Sequence, residues 1–303
     1  MRIVLFGQAA FAEQVLDGLI ERDHEVVATY CPPDAGPKPD PFKARALALG
    51  LSVHQHKSLK GAEVAREVGA YAPDLGVLAY VTQIVPPAVF DTPRLGSICF
   101  HPSLLPRYRG GSAIPWQIIK GETRTGVSLF WVDPGIDTGP LLLQREAAIG
   151  PDDTAATLYY NTLFPLGVAA TLDAVDLIAD GDAPRLAQDA ARASYDPLCR
   201  DEHALIDWRR PVREVYDLIR GCDPQPGAFV VRDGEKVRCH DARRVEHAEA
   251  APGIVAAIAA DGVIVGATGG AVRIGRLRVG DKKLAAAEAA ARLGLTVGDP
   301  MPR

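Results

Sequence analysis

His101 stands at the head of a proline-rich stretch that is suited to a catalytic site. Residues 101–116 have the sequence HPSLLPRYRGGSAIPW, in which a Leu-Leu pair lies between two prolines and paired glycines follow. This pattern is typical of neither a helix nor a strand, and it predicts a stiff, irregular loop. Prolines lower the entropy lost when a loop is held in one shape, and irregular loops often carry functional residues. His101 is therefore a candidate catalytic residue; a structural or exposed histidine at a strand end is the alternative.

A second candidate, Asp137, lies thirty-six residues later in the turn DPGIDTGP, at the end of another predicted strand. Ligands of open α/β sheets bind at the carboxyl ends of the strands, so we expect the two side chains to converge there. A neighbouring carboxylate favours the charged form of an imidazole. Such an imidazolium can stabilise an oxyanion on a carbonyl group and deliver a proton to a leaving group. The alternative is that Asp137 serves only the turn.

The elements that must position these residues alternate along the first half of the chain. RIVLFG is a short apolar run that ends in glycine, as is typical of a strand buried on both faces. A helical pattern and the strand EVVATYC follow it, and the alternation continues through GSICFH, GVSLFWVD and PLLLQREAAI. This order predicts an α/β fold with a Rossmann-like, mostly parallel sheet and flanking helices.

A long helix is predicted over residues 152–181. Asp152 or Asp153 is expected to cap its first turn, and Gly181 is expected to end it. Pro165 lies inside this helix, where it removes one backbone hydrogen bond, so we expect a kink there.

The chain beyond this helix predicts a linker and a small β domain. Residues 183–204 are polar and interrupted by prolines, as linkers often are. Asp-Gly pairs at 233–234 and 261–262 predict β-hairpins, and the short strands around them fit a small, OB-like β-barrel. An alanine-rich helix near 284–293 is expected to stop at Gly294. The predicted organisation is a first domain over 1–182, a linker over 183–204 and a C-terminal β-barrel-like domain over 205–303.

Composition and charge exclude several classes of protein. The 303 residues have a formal net charge of −5 and a pI of about 5.8, which does not suit a protein that coats nucleic acid. No run of 18 or more apolar residues is present and the start does not resemble a secretory signal, so we expect a cytoplasmic protein with no membrane partner. A monomer or a homodimer is expected. Five scattered cysteines without a C-x-x-C pair indicate reduced thiols: Cys31, Cys99, Cys199, Cys222 and Cys239.

Cofactor motifs are absent from the sequence. FGQAAF has one glycine where a dinucleotide fingerprint needs three, and no P-loop motif is present, so we expect no NAD. His54 and His56 share a face of a predicted strand and are a candidate pair of metal ligands. No carboxylate or thiol cluster lies near them in sequence, so we also expect no metal.

The motifs FHPSLLPRYRGGSAIPW and DPGIDTGPLLLQ resemble the 10-formyltetrahydrofolate-dependent formyltransferase family. Its members include glycinamide ribonucleotide transformylase, methionyl-tRNA formyltransferase, sugar-amine formyltransferases and the hydrolase domain of 10-formyltetrahydrofolate dehydrogenase. GQAAF, LFPLGVAATLDAVDLIADG and IRGCDPQPGAF are similar to that hydrolase domain, and the C-terminal region is similar to the second domain of the methionyl-tRNA enzymes. The resemblance implies a formyltransferase catalytic domain over 1–182, with 10-formyltetrahydrofolate as the formyl donor.

By this resemblance His101 and Asp137 are two members of an Asn/His/Asp catalytic set, and the third position departs from the pattern. Cys99 stands where the family has asparagine, two residues before the histidine. A thiol is a poor hydrogen-bond donor, and loss of one oxyanion donor typically costs about 100- to 1,000-fold in rate. The hydrolase domain of the dehydrogenase also lacks this asparagine. Cys99 is interpreted as a small core thiol; a nucleophile that forms a formyl thioester is the alternative.

The resemblance also implies where the folate and the acceptor bind. The pteridine is expected in a crevice between residues 78–86 and the 132–139 turn, and an acidic acceptor or the glutamyl tail of folate is expected to bind basic and polar residues of the 101–116 loop. Each of these residues has a structural or surface role as its alternative. The expected folate residues are Leu78, Tyr80, Val81, Ile84, Asp133, Gly135 and Ile136, and the expected acceptor or tail residues are Ser103, Arg107 and Arg109.

Three functions remain open at this stage. The first is transfer of the formyl group from 10-formyltetrahydrofolate to water or to a small acceptor, which Cys99, GQAAF and the acidic pI favour. The second is methionyl-tRNA formyltransferase. The region 204–303 has 16 Lys and Arg against 13 Asp and Glu, a net charge of +3 that only weakly supports tRNA as a partner. The third is a folate-binding sensor with impaired catalysis, which retention of both His101 and Asp137 disfavours.

Overall fold

A computed structural model describes residues 1–245 and 250–301 of the chain. It divides into two compact units, neither of which is continuous in sequence. Unit 1 contains Met1–Gly111, Thr125–Ala147 and Asn161–Tyr195, and unit 2 contains Ser112–Arg124, Ala148–Tyr160 and Asp196–Arg303. The predicted linear boundaries at 182 and 205 stay a prediction, because the segments of each compact unit interleave along the chain.

The strands form two separate sheets. A seven-stranded sheet has the order β3-β2-β1-β4-β5-β6-β7, and a six-stranded sheet has the order β10-β11-β12-β9-β8, with β13 paired to β12. The strands are β1 (Arg2–Gly7), β2 (Glu25–Cys31), β3 (Val53–Gln55), β4 (Leu75–Ala79), β5 (Ser97–His101), β6 (Arg124–Trp131), β7 (Leu141–Ala148), β8 (Phe229–Arg232), β9 (Glu235–Val245), β10 (Val255–Ala259), β11 (Gly262–Ala267), β12 (Gly270–Val279) and β13 (Lys282–Ala285).

One helix lies where the sequence analysis expects an irregular loop. Ala113–Ile119 is helical, so the prediction that all of 101–116 is irregular is wrong beyond Ser112. The helices are α1 (Ala9–Glu21), α2 (Pro41–Ala48), α3 (Ala62–Ala70), α4 (Pro87–Phe90), α5 (Ala113–Ile119), α6 (Ala155–Leu158), α7 (Phe164–Ala179), α8 (Val212–Gly221) and α9 (Ala286–Arg292).

The sheet of unit 1 is parallel from β3 through β5 and antiparallel between β5 and β6. Central strand β1 is buried on both faces after Arg2, as its continuous apolar sequence predicts. Helices flank this sheet, and α2 begins where the Asp40 carboxylate accepts a hydrogen bond from the Phe42 backbone N–H and Pro41 occupies the first turn. The carboxyl ends of β1, β2, β4 and β5 therefore share one edge of the sheet, where a ligand site is expected.

The predicted long helix is two helices joined by a π-helical turn, Tyr159–Leu163. Pro165 lies in the first turn of α7, where its missing N–H costs little. The predicted cap was wrong: Thr154, not Asp152 or Asp153, accepts the hydrogen bond from the Thr157 N–H in a capping box. A short threonine side chain one residue later reaches the orphan N–H groups directly. Gly181 follows the end of α7 with a positive φ of 80°, as predicted.

The helical run Ala155–Ala179 is long and apolar enough to cross a membrane by length and composition. Its most apolar window is 44% buried inside the protein. In unit 1, Phe164 at the start of α7 packs edge-to-face on Phe11 of α1, with ring centroids 5.5 Å apart. Core packing thus involves part of the apolar sequence of this helix.

Unit 2 contains the antiparallel sheet of the C-terminal region. Asp233 and Gly234, both with positive φ, form the two-residue turn between β8 and β9, as the Asp-Gly pair predicts. The second hairpin is also present, but its two loop residues are Ala260 and Asp261, because Gly262 already pairs with Ala259. The predicted fold class is confirmed: a mostly parallel Rossmann-like sheet with flanking helices, and a separate antiparallel sheet in the C-terminal region.

Candidate active site

His101 is the last residue of β5, so the strand itself positions its side chain. Side chains alternate along a strand, which places Cys99 and His101 on one face and Phe100 on the other. The Phe100 ring stacks on Phe11 of α1 with centroids 4.4 Å apart, which holds the strand against the helix layer. His101 is 6% exposed. The imidazole is thus set in a buried, rigid strand end rather than on a mobile loop.

The two ring nitrogens of His101 have different neighbours. Nε2 lies 2.7 Å from the backbone carbonyl oxygen of Tyr108 in the loop that follows β5. A carbonyl oxygen only accepts hydrogen bonds, so Nε2 must carry a proton. Nδ1 lies 3.5 Å from Oδ2 of Asp137. The Tyr108 carbonyl therefore fixes the ring orientation and leaves Nδ1 as the nitrogen that faces the carboxylate.

Asp137 is held in place by its side chain and by its backbone. Oδ2 accepts a hydrogen bond from the Gly110 backbone N–H at 2.7 Å. The backbone has a φ of 54°, a left-handed conformation that aspartate tolerates better than most residues. The predicted convergence of His101 and Asp137 is therefore present in the structure.

Gln188 is a residue of this site that the sequence does not indicate. Its side-chain amide N–H groups donate to the backbone carbonyls of Asp137 at 2.9 Å and Gly139 at 2.8 Å. Its amide oxygen accepts from the Arg109 guanidinium at 2.7 and 3.2 Å. Gln188 thus fixes the turn that carries the carboxylate. A lone glutamine fifty-one positions from Asp137, inside a predicted linker, gives no local signal of this role.

Cys99 lies beside this pair with its thiol protonated. Burial and, secondarily, the negative charge of Asp137 raise the pKa of the Cys99 thiol. Sγ lies 3.5 Å from the backbone carbonyl oxygen of Phe100. A thiol with a raised pKa is a poor nucleophile, so the structure favours the core-thiol interpretation over the formyl-thioester alternative. Cys99, His101 and Asp137 are brought together.

Two polar side chains of the loop after β5, those of Ser103 and Arg109, form hydrogen bonds within the protein. Ser103 is fully buried; its hydroxyl donates to the Arg107 carbonyl at 2.7 Å, and its own carbonyl accepts from the Ser128 hydroxyl at 2.6 Å. Arg109 is engaged by Gln188, as described above. Arg107 is exposed, and its guanidinium lies 5.2 Å from the centroid of the Tyr108 ring. Of the three residues predicted to bind an acceptor or a glutamyl tail, Arg107 alone is exposed to solvent.

The residues predicted to line a folate crevice differ in burial. Leu78 is in the apolar core below the sheet edge, and Tyr80, Ile84 and Ile136 are exposed. A small surface recess lies at the carboxyl ends of β1, β2 and β4. Its wall includes Phe6, Gln8, Tyr30, Val81, Thr82 and Gln83.

The 132–139 turn is shaped by Asp133. Its Oδ1 accepts hydrogen bonds from the Gly135 N–H at 3.0 Å and the Thr138 hydroxyl at 2.6 Å. Gly135 is exposed, and a Cβ at this position would lie 1.9 Å from the Thr138 hydroxyl oxygen. The carboxylate of Asp133 is therefore committed to the turn, which leaves the exposed backbone and Ile136 as its outer surface.

Comparison with known proteins identifies the family of this chain. Residues 1–170 match the sequence profile of the formyl transferase family, and residues 199–293 match the profile of the formyl transferase C-terminal domain. The chain belongs to the formyl transferase family. Members and structural neighbours of this family are formyl-transferring enzymes.

The relatives form two groups, which differ in the fraction of their own length that aligns with this chain. It is 41% identical over 242 residues to cytosolic 10-formyltetrahydrofolate dehydrogenase of Xenopus laevis, covering 78% of the chain but 27% of the dehydrogenase. It is 36% identical over 293 residues to methionyl-tRNA formyltransferase of Geobacter metallireducens, covering 94% of both chains. The chain therefore spans about a quarter of the length of the dehydrogenases that it matches.

Solved structures share the fold. HypX from Aquifex aeolicus, in complex with tetrahydrofolic acid, superposes with a TM-score of 0.73 at 24% identity, over 99% of this chain and 49% of HypX. WlaRD, a sugar 3N-formyl transferase, superposes with a TM-score of 0.70 at 18% identity, over 93% of this chain and 98% of WlaRD. At these identities the similarity is one of fold.

Proposed function

We propose that this chain uses 10-formyltetrahydrofolate as formyl donor and transfers the formyl group to water or to a small acceptor, yielding tetrahydrofolate. The observation that carries the proposal is the approach of His101 Nδ1 to within 3.5 Å of Asp137 Oδ2 beside a protonated Cys99. The relatives named for 10-formyltetrahydrofolate and the neighbours crystallised with folates support the choice of donor.

Each step of the proposed reaction has an assigned residue. Water or an amine adds to the formyl carbon, and the bond between that carbon and N10 of the folate breaks. The protonated Nδ1 of His101 stabilises the oxyanion of the tetrahedral intermediate, and Asp137 accepts the proton that the nucleophile loses. N10 takes up a proton as it leaves, so water as nucleophile yields formate and tetrahydrofolate. Cys99 packs as a core thiol and does not replace the hydrogen bond that an asparagine amide would donate to the oxyanion.

The folate is proposed to bind at the carboxyl edge of the sheet of unit 1. The recess wall at Val81 and the exposed side chains of Tyr80, Ile84 and Ile136 provide apolar surface for a pteridine. The backbone around Gly135, held by Asp133, provides polar groups. Leu78 supports this surface from the core, and Arg107 is proposed to bind the glutamyl tail or an acidic acceptor.

A second candidate function is methionyl-tRNA formyltransferase. Its support is the 36% identity that extends over 94% of both this chain and the Geobacter enzyme. Against it stand Cys99 in the position of the family asparagine and the acidic net charge of −5. A folate-binding sensor with impaired catalysis is the third candidate, and the close approach of His101 and Asp137 argues against it.

One assay separates these functions. The purified chain is incubated with 10-formyltetrahydrofolate alone, then with small amines, then with charged initiator tRNA, and tetrahydrofolate and formate are quantified. Turnover without tRNA supports the proposal, and release of formate identifies water as the acceptor. Turnover that requires tRNA overturns it in favour of the second function. Tight folate binding without turnover under all conditions overturns it in favour of the third.

A further inference from the structure

Three potential metal ligands meet at the edge of the sheet of unit 1. His54 lies in edge strand β3, His56 directly follows that strand, and Glu67 lies on α3. His54 Nδ1 and His56 Nε2 lie 3.1 and 3.0 Å from the same oxygen, Oε1 of Glu67. The two histidines are two positions apart, so their side chains share one face of the extended chain. The helix supplies the carboxylate that the sequence alone did not place near them.

The spacing of these atoms suits a single zinc-type ion. One ligand atom from each residue lies within 4.8 Å of the other two. Tetrahedral Zn²⁺ with ligand bonds of about 2.0–2.2 Å holds its ligand atoms about 3.4 Å apart, so small side-chain rotations bring all three to bonding distance. The side chains of His54, His56 and Glu67 are 20%, 25% and 32% exposed. This exposure gives an ion a path from solvent and leaves room for water at a fourth position.

The groups around these ligands also fit a metal site. The other nitrogen of His54, Nε2, lies 2.8 Å from the Tyr71 hydroxyl, a contact of the kind that orients metal-bound imidazoles. The Tyr30 ring stacks on His54 with centroids 4.8 Å apart and lies 6.2 Å from the His56 ring.

We propose that His54, His56 and Glu67 bind one Zn²⁺ ion, with water in the fourth coordination position. The ion would tie the three-residue edge strand β3 to helix α3. Gln83 lies in the wall of the recess and donates hydrogen bonds to the backbone carbonyls of His56 and Lys57 at 3.0 and 3.2 Å. The segment that carries His56 therefore also supports the wall of the recess. The expectation of no metal rested on neighbours in sequence, and Glu67 is eleven positions from His56 on another element.

The test measures Zn²⁺ binding directly and is independent of formyl transfer. The 303-residue chain without an affinity tag is stripped with a chelator and titrated with zinc chloride by calorimetry. We expect one ion per chain, with affinity reduced roughly 100-fold in Glu67→Gln and in His56→Gln. Glu63→Gln, an exposed carboxylate in the first turn of the same helix, is the matched control and should bind as the unaltered protein does.

Two further measurements make the result decisive. Zn²⁺ should raise the melting temperature of the unaltered protein and of Glu63→Gln but not of Glu67→Gln or His56→Gln, because binding to the folded state alone stabilises it. If one ligand variant does not unfold cooperatively, the other provides the comparison. Co²⁺ substitution should give an absorption spectrum without thiolate charge-transfer bands. Absent binding, binding that both ligand variants retain, or cobalt–thiolate bands would each overturn the proposal.

Discussion

At the scale of single residues, backbone groups of the loop after β5 hold the His101 imidazole and the Asp137 carboxylate in position. The Tyr108 carbonyl engages Nε2 of His101, and the Gly110 N–H engages the same Asp137 oxygen that faces Nδ1. Each of the two side chains thus has one hydrogen bond that fixes its position. His101 Nδ1 and the Asp137 carboxylate still face each other and can take part in the reaction. The 3.5 Å between Nδ1 and Oδ2 is long for a hydrogen bond, which leaves the pair able to tighten when a substrate arrives.

Replacement of either member of the pair should abolish turnover of 10-formyltetrahydrofolate. His101→Ala removes the group that supports the oxyanion, and Asp137→Asn removes the proton acceptor while keeping an oxygen for the Gly110 N–H. We expect a loss of at least about 100-fold in kcat for each variant. Single-turnover kinetics measure this loss, and circular dichroism verifies folding. Retention of most activity by a folded variant would contradict the assigned roles.

Cys99 allows a test of why this chain departs from the asparagine of its family. Cys99→Asn adds an amide donor beside the oxyanion, so formyl transfer to amines should rise, by up to about 100-fold. Cys99→Ala is the matched control, because it removes the thiol without adding a donor, and it should leave the rate nearly unchanged if the thiol only packs. Rates with a panel of amines are compared for the three proteins. A fall in transfer for Cys99→Asn, or inactivity of Cys99→Ala, would refute our account of this position.

At the scale of elements, the position of β5 depends on a close approach to α7. Gly167 of α7 packs against the Phe100 and Phe11 rings, and a Cβ at this glycine would lie 2.4 Å from the Phe100 ring and 3.0 Å from the Phe11 ring. Phe100 lies between Cys99 and His101 in β5. Helix α7 and strand β5, which carries His101, are therefore in contact at a glycine position where only a hydrogen atom fits.

Gly167→Ala should destabilise the protein and disturb the site together. The new methyl group forces Phe100 or the helix to move, at a cost of about 1–3 kcal/mol in the free energy of unfolding. Turnover should fall as well, because Phe100 is adjacent to His101. Urea unfolding measures the first effect and steady-state kinetics the second. Gly36→Ala is the control, since a Cβ there has no atom within 4 Å; equal stability of the two variants would contradict the packing argument.

At the scale of the whole molecule, residues of the predicted linker belong to a compact unit. Residues 183–195 are part of unit 1. The Trp131 indole N–H donates to the Pro184 carbonyl at 2.9 Å, and the Ser194 hydroxyl accepts from the Tyr108 N–H at 2.8 Å. This segment also carries Gln188, whose amide holds the Asp137 turn. A stretch without an apolar pattern is thus joined to unit 1 through hydrogen bonds.

Gln188 is a positioning residue, and its replacement should affect kcat more than KM. Gln188→Glu keeps an oxygen for Arg109 but loses the N–H donors to Asp137 and Gly139, and Gln188→Ala loses both. We expect kcat to fall about 10- to 100-fold in both variants because the carboxylate is displaced, while KM for the folate changes little. Gln14→Ala, an exposed glutamine on α1, is the control. A selective rise in KM would indicate that Gln188 contacts the substrate instead.

The stability of unit 2 should depend on pH through Asp201. Hydrogen bonds from Arg238 and then Lys236 lower the pKa of Asp201 to about 2, compared with about 3.9 in an unfolded chain. A pKa that is lower in the folded state stabilises the protein above about pH 4, and this contribution is lost as pH falls towards 2. Asp201→Asn should therefore be less stable than the unaltered protein at pH 7, with the difference narrowing between pH 4 and 2. Urea unfolding across this range measures it.

The control for this prediction is Glu202→Gln, the adjacent exposed carboxylate of the same 3₁₀ turn. It lies outside the bidentate pair that Asp201 forms with Arg238 at 2.9 Å, so its replacement should change stability little. A constant difference between Asp201→Asn and the unaltered protein at all pH values would show that the ion pair is not the source of the effect.

The sequence by itself determined the features that depend on near neighbours. The apolar run of β1, the Asp-Gly hairpin at 233–234 and the glycine after α7 follow local rules of burial and backbone conformation. The contact between His101 and Asp137 was expected from a parallel sheet, but β5 and β6 are antiparallel, so their carboxyl ends do not share an edge and the conformation of the 132–139 turn decides this contact.

Only the tertiary structure decided which side chains support those groups. Gln188 reaches Asp137 across fifty-one positions, and Glu67 reaches His56 from a different element. Neither has a local pattern, because a hydrogen bond or a metal ligand depends on where a side chain ends in space and not on its neighbours in the chain. The helix at Ala113 and the Thr154 cap were missed for a related reason: each depends on competition between adjacent candidates that differ by little in local free energy.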